Sequence, residues 1–292
     1  MSPALNLKRL FALGLAAVVA LSAVAYFTMS GADATPKVAA SGTTTATTAA
    51  AAKTYKLPPV NGKVDYQLGG AYTPPAGTKI VTRDRTAKIA KGAYNICYVN
   101  AFQVQPGEEK WWKKNHPGLL LKDSSGDYVV DEDWDELMLD TSTAAKRKQL
   151  AAIVGKWFTG CATKGYQAVE PDNLDSYTRS GKLLTKANAV AFTKLLAARA
   201  HTAGLAIGQK NTVELGTQGK KAGLDFAVTE ECGRYSECGD YTKVYGNHVI
   251  VIEYTKSAFT KTCNAYGSKL SVVRRDVDVS PKGSKGYVYQ AC

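Results

Sequence analysis

Gly165-Tyr166-Gln167-Ala168-Val169-Glu170-Pro171-Asp172-Asn173-Leu174-Asp175 is the stretch on which the reading of this chain turns. A short apolar run ends in three acids, an amide and a proline. The run predicts a buried strand, and Pro171, which has no N–H for a sheet ladder, marks its end. Side chains alternate along extended backbone, so Glu170 and Asp172 leave the strand on the same side. Two carboxylates converging at a strand exit fit acid/base or nucleophilic chemistry. Taken alone, the same residues also fit a solvated acidic turn that caps the next helix.

The rest of the chain decides between these readings. Other short apolar runs lie at residues 64–69, 78–82, 95–99, 205–208, 224–228, 249–252 and 269–273. Helical patterns separate several of them. Over 143–164 the apolar residues Ile153, Val154, Trp157, Phe158 and Cys161 recur at helical spacing, and Gly165 stops the helix. Over 185–203 Val190, Phe192, Leu195, Leu196 and Ala200 form an apolar side, and Gly204 ends it. Shorter helices are expected over 212–222 and 257–266. A polar insertion after the third strand contains Trp111-Trp112, His116-Pro117 and Ser124-Ser125-Gly126, its tryptophans being sugar platforms or packing staples. Residues 134–139 form a short extra strand or a turn. Eight short strands joined by crossovers predict parallel pairing and a closed (β/α)8 TIM-like barrel forming one catalytic domain. A doubly wound open sheet is the alternative, but no Gly-rich phosphate loop follows the first strand.

Composition excludes other classes. The chain has 292 residues, 45% apolar and 21% charged, as in ordinary globular proteins. Of the net charge of +12, residues 1–56 contribute +4, from Lys8, Arg9, Lys37, Lys53 and Lys56 against Asp33. Elsewhere basic residues are scattered or in short runs such as Lys220-Lys221 and Arg274-Arg275, which argues against a nucleic-acid stripe. Cysteines 97, 161, 232, 238, 263 and 292 permit three disulfides in an exported chain, in fifteen possible pairings. With no metal-ligand spacing and three dispersed histidines (His116, His201, His248), no metal or cofactor is expected.

Lys8-Arg9, an apolar run over 10–28 and Ala32-Asp33-Ala34 read as an export signal. The run is also long enough to span a bilayer, so residues 1–34 are either a cleaved signal or an uncleaved anchor. Both place the remainder outside the cytoplasm, secreted or surface-held. The Ala/Thr-rich residues 35–56 read as a linker, and residues 57–292 as the barrel.

In a barrel of this type the C-terminal strand ends build the active site. Here they carry Asp84, Glu170, Asp172, Lys210, Asn211, Glu230 or Glu231, Glu253 and Tyr254. Alternation turns Glu230 inward if Phe226 and Val228 point inward, Lys210 if Ala206 and Gly208 do, and Glu253 if Val249 and Val251 do. No Gly-x-Ser-x-Gly nucleophile motif is present. A carboxylate-lined cleft with amides and aromatics suits hydrolysis of a glycosidic bond between two acids.

Tyr66-Gln67-Leu68-Gly69-Gly70, Ile96-Cys97-Tyr98, the 165–177 block with Glu170-Pro171-Asp172-Asn173-Leu174-Asp175, the 204–211 block ending Gln209-Lys210-Asn211, Phe226 to Cys232, and Glu253-Tyr254 occur in one order. Together they resemble glycoside hydrolase family 114, the endo-α-1,4-polygalactosaminidases, over residues 62–292. The resemblance implies a TIM-like barrel that hydrolyses a galactosamine or N-acetylgalactosamine polymer. It implies Asp172 and Glu230 as the catalytic pair, with Asp84, Glu170, Lys210, Asn211, Glu253 and Tyr254 binding sugar or tuning them. It also implies a Cys232–Cys238 loop disulfide, beside which Cys263–Cys292 and Cys97–Cys161 complete the set. The chain departs from the family at Thr229-Glu230-Glu231-Cys232, usually Asn-Glu-Gln-Cys, and at Val99-Asn100-Ala101-Phe102, usually small residues. By analogy with other barrel glycosidases Asp172 attacks the anomeric carbon. Glu230 protonates the leaving oxygen, which calls for a raised pKa. Either stereochemical outcome stays open. The competing function is a barrel that binds polysaccharide at the cell surface without cutting it.

Overall fold

The computed structural model describes residues 54–292. The signal or anchor reading of residues 1–34, and the linker reading up to residue 53, lie outside the described residues. Tyr55 is already docked, stacked on His201 with ring centroids 4.4 Å apart and donating to Asp225 at 2.9 Å. The fold therefore starts just ahead of residue 57.

The chain runs β1 (Val64–Gln67), β2 (Ile80–Asp84), β3 (Tyr94–Asn100), α1 (Glu109–Asn115), β4 (Val130–Asp131), β5 (Glu136–Leu137), α2 (Ala144–Lys164) and β6 (Ala168–Asp172). It continues through α3 (Ser176–Arg179), α4 (Lys186–Ala203), β7 (Ala206–Lys210), α5 (Thr217–Lys221) and β8 (Phe226–Glu230). It closes with α6 (Cys232–Tyr235), α7 (Cys238–Tyr245), β9 (Val249–Glu253), α8 (Lys256–Tyr266), β10 (Ser271–Arg275) and β11 (Tyr289–Ala291). β1, β2, β3, β6, β7, β8, β9 and β10 are neighbours in that order and all parallel. This is the predicted eight-stranded barrel. β11, absent from the sequence reading, adds antiparallel to β10. β4 and β5 form a separate hairpin in the polar insertion. Side chains close the seam between β1 and β10: Gly62 N–H donates to Ser271 Oγ at 2.9 Å, and buried Arg275 pairs with buried Asp65 at 3.4 Å.

Alternation along the strands makes two cores. Val64, Tyr66, Ile80, Ile96, Ala168, Ala206, Phe226, Val228, Ile250, Ile252 and Val273 fill the barrel. Val99, Val169, Ile207, Ala227 and Val251 face the helices, meeting Leu150, Val154 and Phe158 of α2 and Phe192 and Leu196 of α4. Each buried Val, Leu, Ile or Phe among them contributes about 1.5–3 kcal/mol by leaving water. Gly208 makes room inside the barrel, since a Cβ there would lie 2.9 Å from the Phe226 ring. Thr143 caps α2 by accepting from Lys146 N–H, and Thr185 and Asn188 form a capping box on α4. Gly165 and Gly204 end the two helices at φ 92° and 80°, where a side chain is disfavoured. Within the insertion, Trp112 is fully buried against Trp157 and acts as a staple, while Trp111 and Trp134 stay half-exposed. The three disulfides are Cys97–Cys161, Cys232–Cys238 and Cys263–Cys292.

Most strands reach one or two residues beyond the apolar runs. Pro171 does not end β6: it pairs in register with Val99, and the strand continues to Asp172. What stops at the proline is the ladder to β7, which covers only Ala168↔Ala206 and Val169↔Ile207. β6 and β7 separate above that point, and the two side chains at their ends face a common space.

Candidate active site

Lys210, at the end of β7, is the hub. Its Nζ lies 3.0 Å from Asp172 Oδ2, 3.2 Å from Glu230 Oε2 and 3.5 Å from Glu170 Oε1. Ala206 and Phe226/Val228 point into the barrel, so two-residue alternation delivers Lys210 and Glu230 to its mouth as expected. Glu170 and Asp172 share a side, the lower one deep and the upper one near solvent. Exposure separates their roles: the Glu170 side chain is 0% exposed, while Asp172 and Glu230 keep 18% and 24%. Only the latter two acids of this set can touch a substrate.

The backbone turns sharply after each contributing strand. Asn173, Asn211 and Glu231, which follow Asp172, Lys210 and Glu230, all have left-handed φ, at 65°, 44° and 59°. Such conformations cost of order 1–3 kcal/mol each and concentrate at functional sites. Asn173 N–H donates to Asp172 Oδ1 at 2.7 Å, and Tyr98 OH donates to Oδ2 at 2.9 Å. Asn211 donates to Glu230 Oε2 at 3.0 Å and accepts from Glu230 N–H at 2.8 Å. Tyr254 OH donates to Glu230 Oε1. Tyr66 OH donates to Glu170 Oε1 at 2.5 Å.

Burial acts on every charge here, with different results. Burial pushes Glu170 up to about 7, against the opposing pull of Lys210 and the Tyr66 bond. Burial also works to raise Glu230, but Lys210, Tyr254 and Asn211 together outweigh it and hold Glu230 below its usual value. Burial would discharge Lys210, yet Asp172 and Glu230 keep its pKa well above normal. The expected raised pKa of Glu230 is therefore not found. The neighbouring acids Glu231 and Glu253 lie outside the cluster: Glu231 pairs with Arg234 at 2.7 Å, and Glu253 is turned outward.

Two predicted site residues are not brought to the cluster. Ile250 and Ile252, not Val249 and Val251, point into the barrel, which sends Glu253 toward the helices. There it accepts from Gly233 N–H at 2.7 Å and Thr262 Oγ1 at 3.1 Å, a buried brace for α6. Tyr254, of opposite parity, does reach Glu230. Asp84 sits on the rim with Oδ1 occupied by Thr86 N–H at 2.8 Å and Thr86 Oγ1 at 2.5 Å, capping a turn. Asn211, Lys210 and Glu170 all fall where expected.

The structure adds residues that sequence reasoning left out of the site. Tyr66 and Tyr98 follow Val64 and Ile96 by two positions on inward-facing strands, so alternation was a usable signal for both. Glu136, on β5, accepts from Asn100 Nδ2 at 2.7 Å and from Asn173 Nδ2 at 3.3 Å. It belongs to the insertion, and no strand-end rule reaches it. Among the described residues the group Cys232, Cys238 and Glu253 has metal-ligand proximity, but its sulfurs are joined in a disulfide.

The sequence model of glycoside-hydrolase family GH114 matches residues 44–292, starting inside the stretch read as a linker. Among solved structures, Aspergillus fumigatus Ega3 in complex with galactosamine is 24% identical, covering 83% of this chain and 100% of that one, with a TM-score of 0.65. The glycoside hydrolase domain of PelA from Pseudomonas aeruginosa is 14% identical, covering 76% of this chain and 97% of that one, with a TM-score of 0.53. At these identities both likenesses speak for the fold. No curated protein matches the chain.

Proposed function

The chain belongs to glycoside-hydrolase family GH114, and from that premise we propose that this glycoside hydrolase cuts α-1,4-linked galactosamine-rich polysaccharide within its length, with Asp172 as nucleophile and Glu230 as acid/base. The observation that carries the residue roles is the pair of solvent-reaching carboxylates bridged by Lys210 at 3.0 and 3.2 Å. The galactosamine assignment draws on the sequence resemblance and on the ligand bound by Ega3.

The two legs from Lys210 Nζ keep the bridged oxygens closer than the roughly 6.5–9.5 Å that lets inverting enzymes fit a water between their acids. That supports a retaining, two-step reaction. In the first step Asp172 forms a bond to the anomeric carbon, Glu230 gives its proton to the leaving oxygen, and the glycosidic bond breaks. Negative charge thereby passes from Asp172 to Glu230. Lys210, nearly equidistant, pairs with the charge before and after, and Tyr254 and Asn211 receive it on Glu230 with bonds already in place. In the second step Glu230 takes a proton from water, which attacks the glycosyl ester. The low pKa of Glu230 suits this second step. For the first, Glu230 must enter protonated, so proton uptake accompanies substrate binding and activity is favoured at acid pH.

Residues 57–292, with the docked Tyr55 just ahead of them, are the hydrolase domain of this reading, carried outside the cytoplasm by residues 1–34. Three disulfides fit an oxidising compartment. Among the described residues no helix is long and apolar enough to cross a membrane. The test is cleavage of deacetylated poly-α-1,4-galactosamine by wild type, Asp172→Asn and Glu230→Gln. Wild type releases oligosaccharides and both variants lose at least about a hundredfold in kcat; wild-type rates in either variant would overturn the assignment.

A further inference from the structure

The β4–β5 hairpin brings a further carboxyl to the barrel mouth, and the reaction above gives it no task. Asn100 and Asp172 are register partners at the ends of β3 and β6, so their side chains occupy one layer of the barrel. Glu136 Oε2 accepts from Asn100 at 2.7 Å and from Asn173, the residue after Asp172, at 3.3 Å. Asn100 and Asn173 also bond each other at 3.0 Å, so the two amides form a platform that holds Glu136 beside the nucleophile. The hairpin itself is fixed: buried Asp131 of β4 accepts from Arg179 Nε at 2.5 Å and from Gln103 Nε2 at 2.7 Å. Burial raises the Glu136 pKa to about 7, opposed by the Asn100 bond and reinforced by Asp172. A carboxyl in that condition gains by meeting a cation.

A sugar attacked by Asp172 holds its anomeric carbon against that carboxylate, and the substituent on the adjacent C2 is two bonds away. A 2-ammonium group brings a charge to a carboxylate flanking Asp172; a 2-acetamido group brings bulk and no charge. Building on the function proposed above, we infer that Glu136 reads this substituent, pairing with the 2-ammonium of the galactosamine residue seated against Asp172 and selecting free-amine over N-acetylated residues there.

In an endo cut the residue seated against the nucleophile becomes the new reducing end. The test is digestion of a partly N-acetylated poly-α-1,4-galactosamine, with the new reducing ends identified by mass spectrometry. Wild type yields reducing ends enriched in galactosamine over the bulk polymer. Glu136→Gln keeps an acceptor for Asn100, so the platform is retained, and its reducing ends move toward bulk composition. The ratio of kcat/KM on fully deacetylated to fully acetylated polymer also falls, by about ten- to hundredfold, the worth of a charge-assisted hydrogen bond. Wild-type reducing ends at bulk composition overturn the inference without any variant, and so does a ratio within twofold of wild type in Glu136→Gln. Both results leave the hydrolase reading standing, whereas a wild-type protein that cuts none of these polymers overturns both.

Discussion

Replacing Lys210 by Met removes the cation shared by three carboxyls while keeping an unbranched side chain of similar length. Lys210 Nζ stands 3.0, 3.2 and 3.5 Å from Asp172, Glu230 and Glu170. At about 3 Å and an effective dielectric of about 20, each full charge pair is worth about 5 kcal/mol before desolvation. Burying the lysine offsets much of that, and removing one partner of a buried pair costs a net of about 3–5 kcal/mol. The loss depends on pH with a definite sign. Glu230, held below 4.5 in the wild type, contributes stability that is present above its unfolded pKa and disappears as pH falls through its folded value. Without Lys210, burial lifts Glu230 instead, so its ionisation works against the fold as pH rises. The destabilisation of Lys210→Met is thus largest near pH 8 and shrinks toward pH 4, where Glu230 of the variant takes up its proton. Urea unfolding with disulfides intact, at both pH values, measures it. An equal loss at pH 4 and pH 8, or a variant more stable than wild type at pH 8, would refute the electrostatic account of the hub.

Other outcomes follow from the same geometry. Tyr254→Phe removes a donor to ionised Glu230 and raises its pKa, so the alkaline limb of the kcat/KM profile moves up by about one pH unit. Glu170, raised from 4.5 to about 7, lends stability that is full below 4.5 and lost as pH rises to about 7. Glu170→Gln flattens that slope in a series of thermal melts from pH 4 to pH 8. Cys97–Cys161 spans 64 residues and Cys232–Cys238 spans 6, so replacing each pair with Ala costs about 4 and about 2 kcal/mol respectively by loop entropy, read from denaturant unfolding.

The barrel was legible because its strands are apolar and its helices carry ordinary caps and stops. Strand ends were set one or two residues short for a physical reason: Lys210, Glu230 and Asp172 are polar, yet the charges they exchange let extended backbone continue past the apolar run. Pro171 misled in the same way, since it ends one ladder and not the strand. Alternation placed Lys210 and Glu230 correctly and Glu253 wrongly, because a run of Val and Ile with both faces buried carries no mark of which face is inward. β11 and Glu136 had no signal of that kind. One is an edge strand of mixed residues, and the other reaches the site from an insertion through Asn100.

The central claim is that Asp172 and Glu230, bridged by Lys210, cut galactosamine polymer with retention. Proton NMR of the first products from deacetylated poly-α-1,4-galactosamine tests it most directly. The account predicts α-configured reducing ends at the earliest times, equilibrating later by mutarotation. First products in the β configuration, or no product from the wild-type protein, would contradict it.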